Sequence, residues 1–208
     1  MSSMNQDKFL TEFYALIAEL WCGPPVTDAV NEKLQKDAEK IVAKLQSFDK
    51  EAATLLSSFL AENAIAEEDY IDLFELDPEC ALYLGSHSYE EPKSCANAGT
   101  SDRNEYMIDL MGVYRHFGQI PNGQEMPDYL PLMVDFLAMT VESKDDPIRQ
   151  KLIDEYLLPY FPPMRSRLEA LGTNYLYLFD AMEKVICLES ESQPLPRQRE
   201  QKVEAHVG

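Results

Sequence analysis

The stretch DKEAATLLSSFL, residues 49–60, decides the fold class. Asp49 is an acid that can accept hydrogen bonds from the free backbone N–H groups at a helix start. After it, Ala52, Leu55, Leu56, Phe59 and Leu60 fall at i, i+3, i+4, i+7 and i+8. That spacing lays them on one face of a 3.6-residue turn and leaves the polar residues on the other. No period-two alternation competes with it.

The same period recurs on both sides. Upstream, Thr27 or Asp28 can cap a helix whose stripe is Val30, Leu34, Ala38, Ile41 and Leu45, and Phe9, Phe13, Leu16, Ile17 and Leu20 share the face of an earlier one. Downstream, a shorter helix is expected over 67–76, stopping before Pro78. Residues 77–101 hold Pro78, Gly85, Pro92 and Gly99 and show little period. They read as a long connection, a feature that is often functional in a compact domain.

Helix returns near Ser101 or Asp102 and is expected to reach Phe117, with a loop over 118–123. Pro127 suits the first position of the next helix. There Leu130, Met133, Val134 and Leu137 form the buried stripe, with Asp128 and Asp135 on the other side. Asp146 and Pro147 read as a cap and first-turn proline for a helix to Leu158, broken by Pro159, Pro162 and Pro163. One last long helix is expected through Leu168, Leu171, Tyr175, Leu178, Met182 and Val185. The expectation is an all-α fold, a single globular helical domain of about eight or nine helices over 1–189. A flexible C-terminal tail, 190–208, follows from its polar composition and Pro194 and Pro196.

Charge narrows the function. The chain of 208 residues carries 37 Asp and Glu against 18 Lys and Arg, a formal net charge of -19. Such a surface repels nucleic acid and anionic lipid and attracts a basic partner. No stretch is apolar and long enough to cross a membrane. Met1 to Lys8 lacks the pattern of a secretory signal. Cys22, Cys80, Cys95 and Cys187 are scattered, without a Cys-x-x-Cys pair, which fits free thiols in a reducing compartment. A cytoplasmic location is expected.

The residue types that carry chemistry are sparse. His87, His116 and His206 are too dispersed for a metal site, and no phosphate-binding loop or nucleophile motif occurs. Cys80 and Cys95 read as structural thiols. No catalytic residue, metal or cofactor is expected, and the chain is not read as an enzyme. One cluster stands out: Glu67, Glu68, Asp69, Asp72, Glu75, Asp77 and Glu79, interleaved with Tyr70, Leu73, Phe74 and Leu76. It reads either as a solvated face over a core stripe or as a docking surface for a basic, apolar peptide.

Two segments carry a resemblance. One runs from Tyr70 through Phe74 to Cys80, Tyr83 and Tyr89; the other holds Tyr114, Gly118, then Met126-Pro127-Asp128-Tyr129-Leu130-Pro131 and Val134 to Leu137. Together they resemble the TorD/DmsD/NarJ family of redox-enzyme maturation chaperones, most of all its NarJ-type branch, the nitrate reductase delta subunits and their kin. The resemblance implies a system-specific chaperone. Its partner would be the apo catalytic subunit of a molybdopterin oxidoreductase, recognised through a twin-arginine signal or an N-terminal remnant and held while the molybdenum cofactor is inserted. It also implies a peptide-binding role for Pro127, Asp128 and Tyr129. On this reading Glu68, Asp69, Asp72 and Asp128 face the basic segment, and Tyr70, Phe74, Tyr83 and Tyr129 line its apolar track. Tyr89, Tyr114, Gly118 and Pro131 complete the candidate surface. Where some members carry His after the Asp, this chain carries Tyr129, which keeps a polar tip without a group that titrates near neutrality. The oligomer expected is a monomer or a domain-swapped dimer. A helical adaptor for an unrelated basic partner and an unrecognised all-α enzyme are the alternatives.

Overall fold

A computed structural model describes residues 3–25, 27–61, 67–89 and 102–191. Among them the regular structure is helical: α1 (Ser3–Trp21), α2 (Asp28–Phe48), α3 (Lys50–Ala61), α4 (Glu67–Phe74), α5 (Asp102–His116), α6 (Leu130–Met139), α7 (Pro147–Lys151), α8 (Phe161–Leu171) and α9 (Tyr175–Glu191). Among the described residues of the long connection, Leu84–His87 form a 3₁₀ turn. The connection's remainder from residue 90 to 101 lies outside the described residues, as does the expected tail except for Ser190 and Glu191, which belong to α9.

The helix ends are written in the sequence. Thr27 accepts the Val30 N–H at 3.4 Å and opens α2. Asp49 alone joins α2 to α3: its N–H donates to the Leu45 carbonyl at 2.7 Å, and its carboxylate accepts the Ala52 N–H at 2.8 Å. Asp146 caps α7 through the Ile148 N–H at 2.8 Å, with Pro147 in the first turn as expected.

Four expectations need correcting. Val30 is exposed, and the buried stripe of α2 begins one turn later at Leu34. The helix after Asp146 does not run regularly to Leu158. It widens into a π-helix over Leu152–Leu157 and tightens into a 3₁₀ turn over Leu158–Tyr160. Pro162 and Pro163 then sit in the first turn of α8, where a missing N–H costs nothing, so they open a helix rather than break one. The expected last long helix is two. Gly172 takes a left-handed φ of 63°, ends α8, and passes the chain to α9 through the Thr173 hydroxyl, which accepts the Tyr175 N–H.

Helix α1 packs along α6 and against α2, while α3 packs against both α2 and α9. The core between them is aromatic. Trp21 is fully buried, with Tyr175 at 5.3 Å, Phe74 at 5.9 Å and Phe179 at 6.4 Å between ring centroids. One charged group of residues crosses this core. The Tyr14 hydroxyl donates to Glu189 at 2.6 Å, and Arg149 pairs with the same carboxylate. Arg149 also donates to the Thr140 hydroxyl at 3.1 Å and to the Leu137 carbonyl at 3.3 Å. These contacts join α1, α6, α7 and α9 through groups that have all left water.

Candidate functional site

Helix α1 buries Phe9, Phe13, Ile17 and Trp21 in the core, while its Ala15, Ala18 and Glu19, with Cys22 just past its end, lie on another side. These residues form one wall of a groove of about 610 Å³. The opposite wall is α6, with Pro131, Leu132, Asp135 and Met139. The rim is the loop after α5, which contributes Ile120, Pro121 and Glu125, and Tyr114 and Tyr129 close the end. The floor is apolar because small side chains on α1 face proline, leucine and aromatic side chains on α6. Ile120 is 76% exposed and Met139 is 54% exposed, so large apolar groups stand in water at this mouth.

Gly118 sends the chain into the rim. Its φ is +71°, in the left-handed region. The Gln119 N–H reaches back to the Tyr114 carbonyl at 2.9 Å and the Gly118 N–H to Arg115 at 3.0 Å, which satisfies the last carbonyls of α5. The loop returns to α6 through the run 127–131. There the Tyr114 hydroxyl donates to the Pro127 carbonyl at 2.7 Å. The Leu84 N–H donates to the Asp128 carbonyl at 3.1 Å and the Leu130 N–H to the Leu82 carbonyl at 2.8 Å, forming an antiparallel bridge between Tyr83 and Tyr129. Their rings lie 5.4 Å apart, and the Tyr83 hydroxyl donates to Glu125 at 2.5 Å.

The structure separates the expected residues into groups. Tyr114, Tyr129 and Pro131 line the groove, and Tyr83 backs it through Tyr129 and Glu125. Glu68, Asp69 and Asp72 are exposed on α4. That helix packs on the C-terminal end of α1, where the Tyr70 hydroxyl donates to the Trp21 carbonyl at 2.7 Å. Three expectations are overturned. Tyr70 and Phe74 are core residues, packed 6.1 Å and 4.8 Å from Tyr175, because the apolar side of so acidic a helix is what holds it to the body. Asp128 is fully buried and cannot face a partner. Pro127 precedes α6 by three residues, so Asp128 is no first-turn acid; its carboxylate turns inward to accept the Gly85 N–H at 2.9 Å. Tyr89 stands away from the groove, its hydroxyl 2.5 Å from that of Tyr160 and its ring against Tyr106.

Electrostatics follow from the placement. Burial raises the Cys22 thiol pKa, and the charges of Asp135, Glu19 and Glu125 add to it. Burial also raises the Tyr129 hydroxyl, with Glu125 and Glu75 among the charges that assist. The Tyr83 hydroxyl is pushed up to about 12 by burial and its bond to Glu125. Carboxylates from α1, the rim, α6 and the end of α4 therefore act on one end of the groove. Burial lowers the His87 pKa, and the ring is tied to the Ala81 carbonyl at 2.7 Å. Cys80 is buried, and burial pushes its thiol to about 12. Among the described residues, no group of three His, Cys, Asp or Glu could hold a metal ion, and no helix is long and apolar enough to cross a membrane. The groove offers an apolar floor with carboxylates at its edge, an arrangement suited to binding a basic, apolar segment, and its Cys22 thiol is held protonated by burial and by those carboxylates.

Sequence reasoning missed Glu19, Ile120, Asp135 and Met139 as parts of one surface. They come from three separate segments, and only Asp135 was singled out as exposed.

Comparison with known proteins gives the family. The family model described as nitrate reductase delta subunit matches residues 31–180. The chain is 28% identical over 163 residues to the nitrate reductase molybdenum cofactor assembly chaperone NarJ of Escherichia coli (strain K12), covering 76% of this chain and 64% of that protein. It is 26% identical over 116 residues to the probable nitrate reductase molybdenum cofactor assembly chaperone NarW of the same strain, covering 56% of this chain and 45% of that one. The chain thus spans a little under two thirds of the length of NarJ and a little under half of that of NarW. The family match runs from α2 into α9 and takes in the rim, the 127–131 run and α6, so the chain belongs to the nitrate reductase delta subunit family.

Proposed function

We propose that this chain is a non-catalytic, cytoplasmic chaperone that binds the apo catalytic subunit of a molybdopterin oxidoreductase and assists insertion of its molybdenum cofactor. The observation that carries the reading is the groove, whose apolar floor is edged by Glu19, Glu125 and Asp135. A segment in which arginines stand among large apolar residues fits both features. Carboxylates take guanidinium groups in paired hydrogen bonds, and the floor takes the apolar neighbours. A twin-arginine signal, or an N-terminal remnant of one, has that composition. The descriptions of NarJ and NarW support a nitrate reductase as the first client to test. Glu68, Asp69 and Asp72 on α4 extend the negative field and steer a basic segment toward the mouth.

The test is capture from the native host with the tagged chain. The expected catch is the apo catalytic subunit and not the cofactor-loaded enzyme; equal capture of mature enzyme, or of no molybdoenzyme subunit, overturns the reading. The purified chain should carry no stoichiometric iron, zinc or molybdenum, which elemental analysis checks.

A further inference from the structure

The run around Asp128 does something that its place in a peptide-binding motif does not suggest. Its side chain is fully buried, so no partner reaches it. One carboxylate oxygen accepts the Gly85 N–H at 2.9 Å, while the other accepts no hydrogen bond from the described residues. On either side of that bond run the two backbone bonds of the bridge, Leu84 to Asp128 at 3.1 Å and Leu130 to Leu82 at 2.8 Å. Three bonds therefore hold 82–85 against 128–130. The bridge carries the Tyr83–Tyr129 ring pair, Tyr129 lines the groove, and Tyr83 holds Glu125 at the rim.

Gly85 supports the same reading from the other strand. A Cβ there would stand 2.8 Å from the Asp128 carboxylate and 3.3 Å from the Tyr106 ring. The close approach needs a residue without a side chain.

We propose that Asp128 is a positioning residue: it latches 82–85 to 128–130 from inside and sets Tyr83, Tyr129 and Glu125 at the groove without touching the partner. The latch rests on the groove being the docking surface only for its consequence, not for its existence. Arg103 from α5 and His87 from the 3₁₀ turn are the cationic or titratable groups whose charges act on this carboxylate, and Tyr83, Tyr106 and Tyr114 are the hydroxyls that it acts on in turn. None belongs to a partner.

Two readouts decide it. The first is hydrogen exchange of the free chain at the Leu84, Gly85 and Leu130 amides. Asp128→Ala should speed exchange there by roughly 10- to 100-fold, the range for losing one charge-assisted hydrogen bond. Gly85→Ala should do the same from the opposite strand. The second is calorimetric titration with the synthetic N-terminal peptide of the host's nitrate reductase catalytic subunit. Asp128→Asn keeps an oxygen for the Gly85 N–H, so it should bind within about threefold of wild type with an unchanged salt dependence, while Asp128→Ala and Gly85→Ala lose about tenfold or more. Equal losses for Asn and Ala, with a weaker salt dependence, would put the charge in contact with the peptide and overturn the proposal. Unchanged exchange in both Ala variants would overturn the latch itself. A wild-type chain that binds no peptide but shows the exchange pattern would sink the docking site and leave the latch standing.

Discussion

Two carboxylates are buried among the described residues, and they are treated in opposite ways. Glu189 receives Arg149 and the Tyr14 hydroxyl, and Arg149 is itself satisfied by Thr140 and the Leu137 carbonyl. Asp128 receives one backbone N–H and leaves an oxygen without a hydrogen bond from the described residues. Glu189 closes the junction of four helices, whereas Asp128 sits behind a groove. Burial alone does not tell the role of an acid; the set of partners does. A fully matched ion pair resists opening because every step strands a charge, while a carboxylate held by a single amide can release its strand at far lower cost.

The contrast can be broken most sharply at Arg149. Arg149→Met should lower stability by about 3–5 kcal/mol, the cost of leaving one member of a buried pair alone. Urea unfolding measures it, and a loss under about 1 kcal/mol would place Glu189 in the same class as Asp128. On the groove side, Ile120→Ser should leave unfolding unchanged and weaken peptide binding by about 1–2 kcal/mol, toward the lower end for burying a large apolar side chain. Calorimetry with the peptide reads the loss; undiminished affinity would move the docking surface elsewhere.

Acid titration sharpens the comparison further. Burial holds the Asp128 pKa above its ordinary value, against the weaker pull of the Gly85 N–H and Arg103. The folded chain then binds more protons than the unfolded chain between about pH 3.9 and that raised value, so stability falls as pH climbs through the window. Asp128→Asn removes this titration. Its stability curve should be flatter, by about 1.4 kcal/mol for each pH unit by which the titration is displaced. Urea midpoints taken in parallel would refute this if the two curves ran together. The smallest effects belong to the acids of the two walls: Glu19→Gln and Asp135→Asn should each weaken peptide binding by roughly 0.2–1 kcal/mol at low salt and by nothing measurable at high salt.

The helices were legible because their signals are local. Thr27, Asp49 and Asp146 act within three residues of themselves, and the stripes of α1 and α3 need only a periodic count. Gly172 hid because the stripe of α8 continues in phase across it into α9. The π-helix hid for a related reason: the apolar residues Leu152, Ile153, Tyr156 and Leu157 satisfy either register. The site was legible only in part. Of the candidate residues in the run 114–131, Tyr114, Tyr129 and Pro131 line the groove. Asp128 misled because Pro-Asp ahead of an apolar stripe looks like a helix start, while its partner Gly85 stands 43 residues away. Tyr70 and Phe74 misled because an aromatic stripe under an acidic face suits a core and a peptide track equally well. Ile120 and Met139 gave no signal, since exposure of a single apolar residue depends on which segments fail to cover it.

The bond between Tyr14 and Glu189 spans 175 positions of sequence. During synthesis, α1 and the α2–α3 pair leave the ribosome early and can associate through short-range contacts. The junction beneath them cannot close until the last turn of α9 has emerged. Until then Tyr14 and Arg149 lack the carboxylate that balances them, and the surface of α3 that α9 covers stays open. The nascent chain therefore passes through a stage that is nearly complete in length and incomplete in its core. A stop codon placed just before Glu189 would remove the last three residues of α9 together with 192–208, and it should yield a protein that never finishes folding.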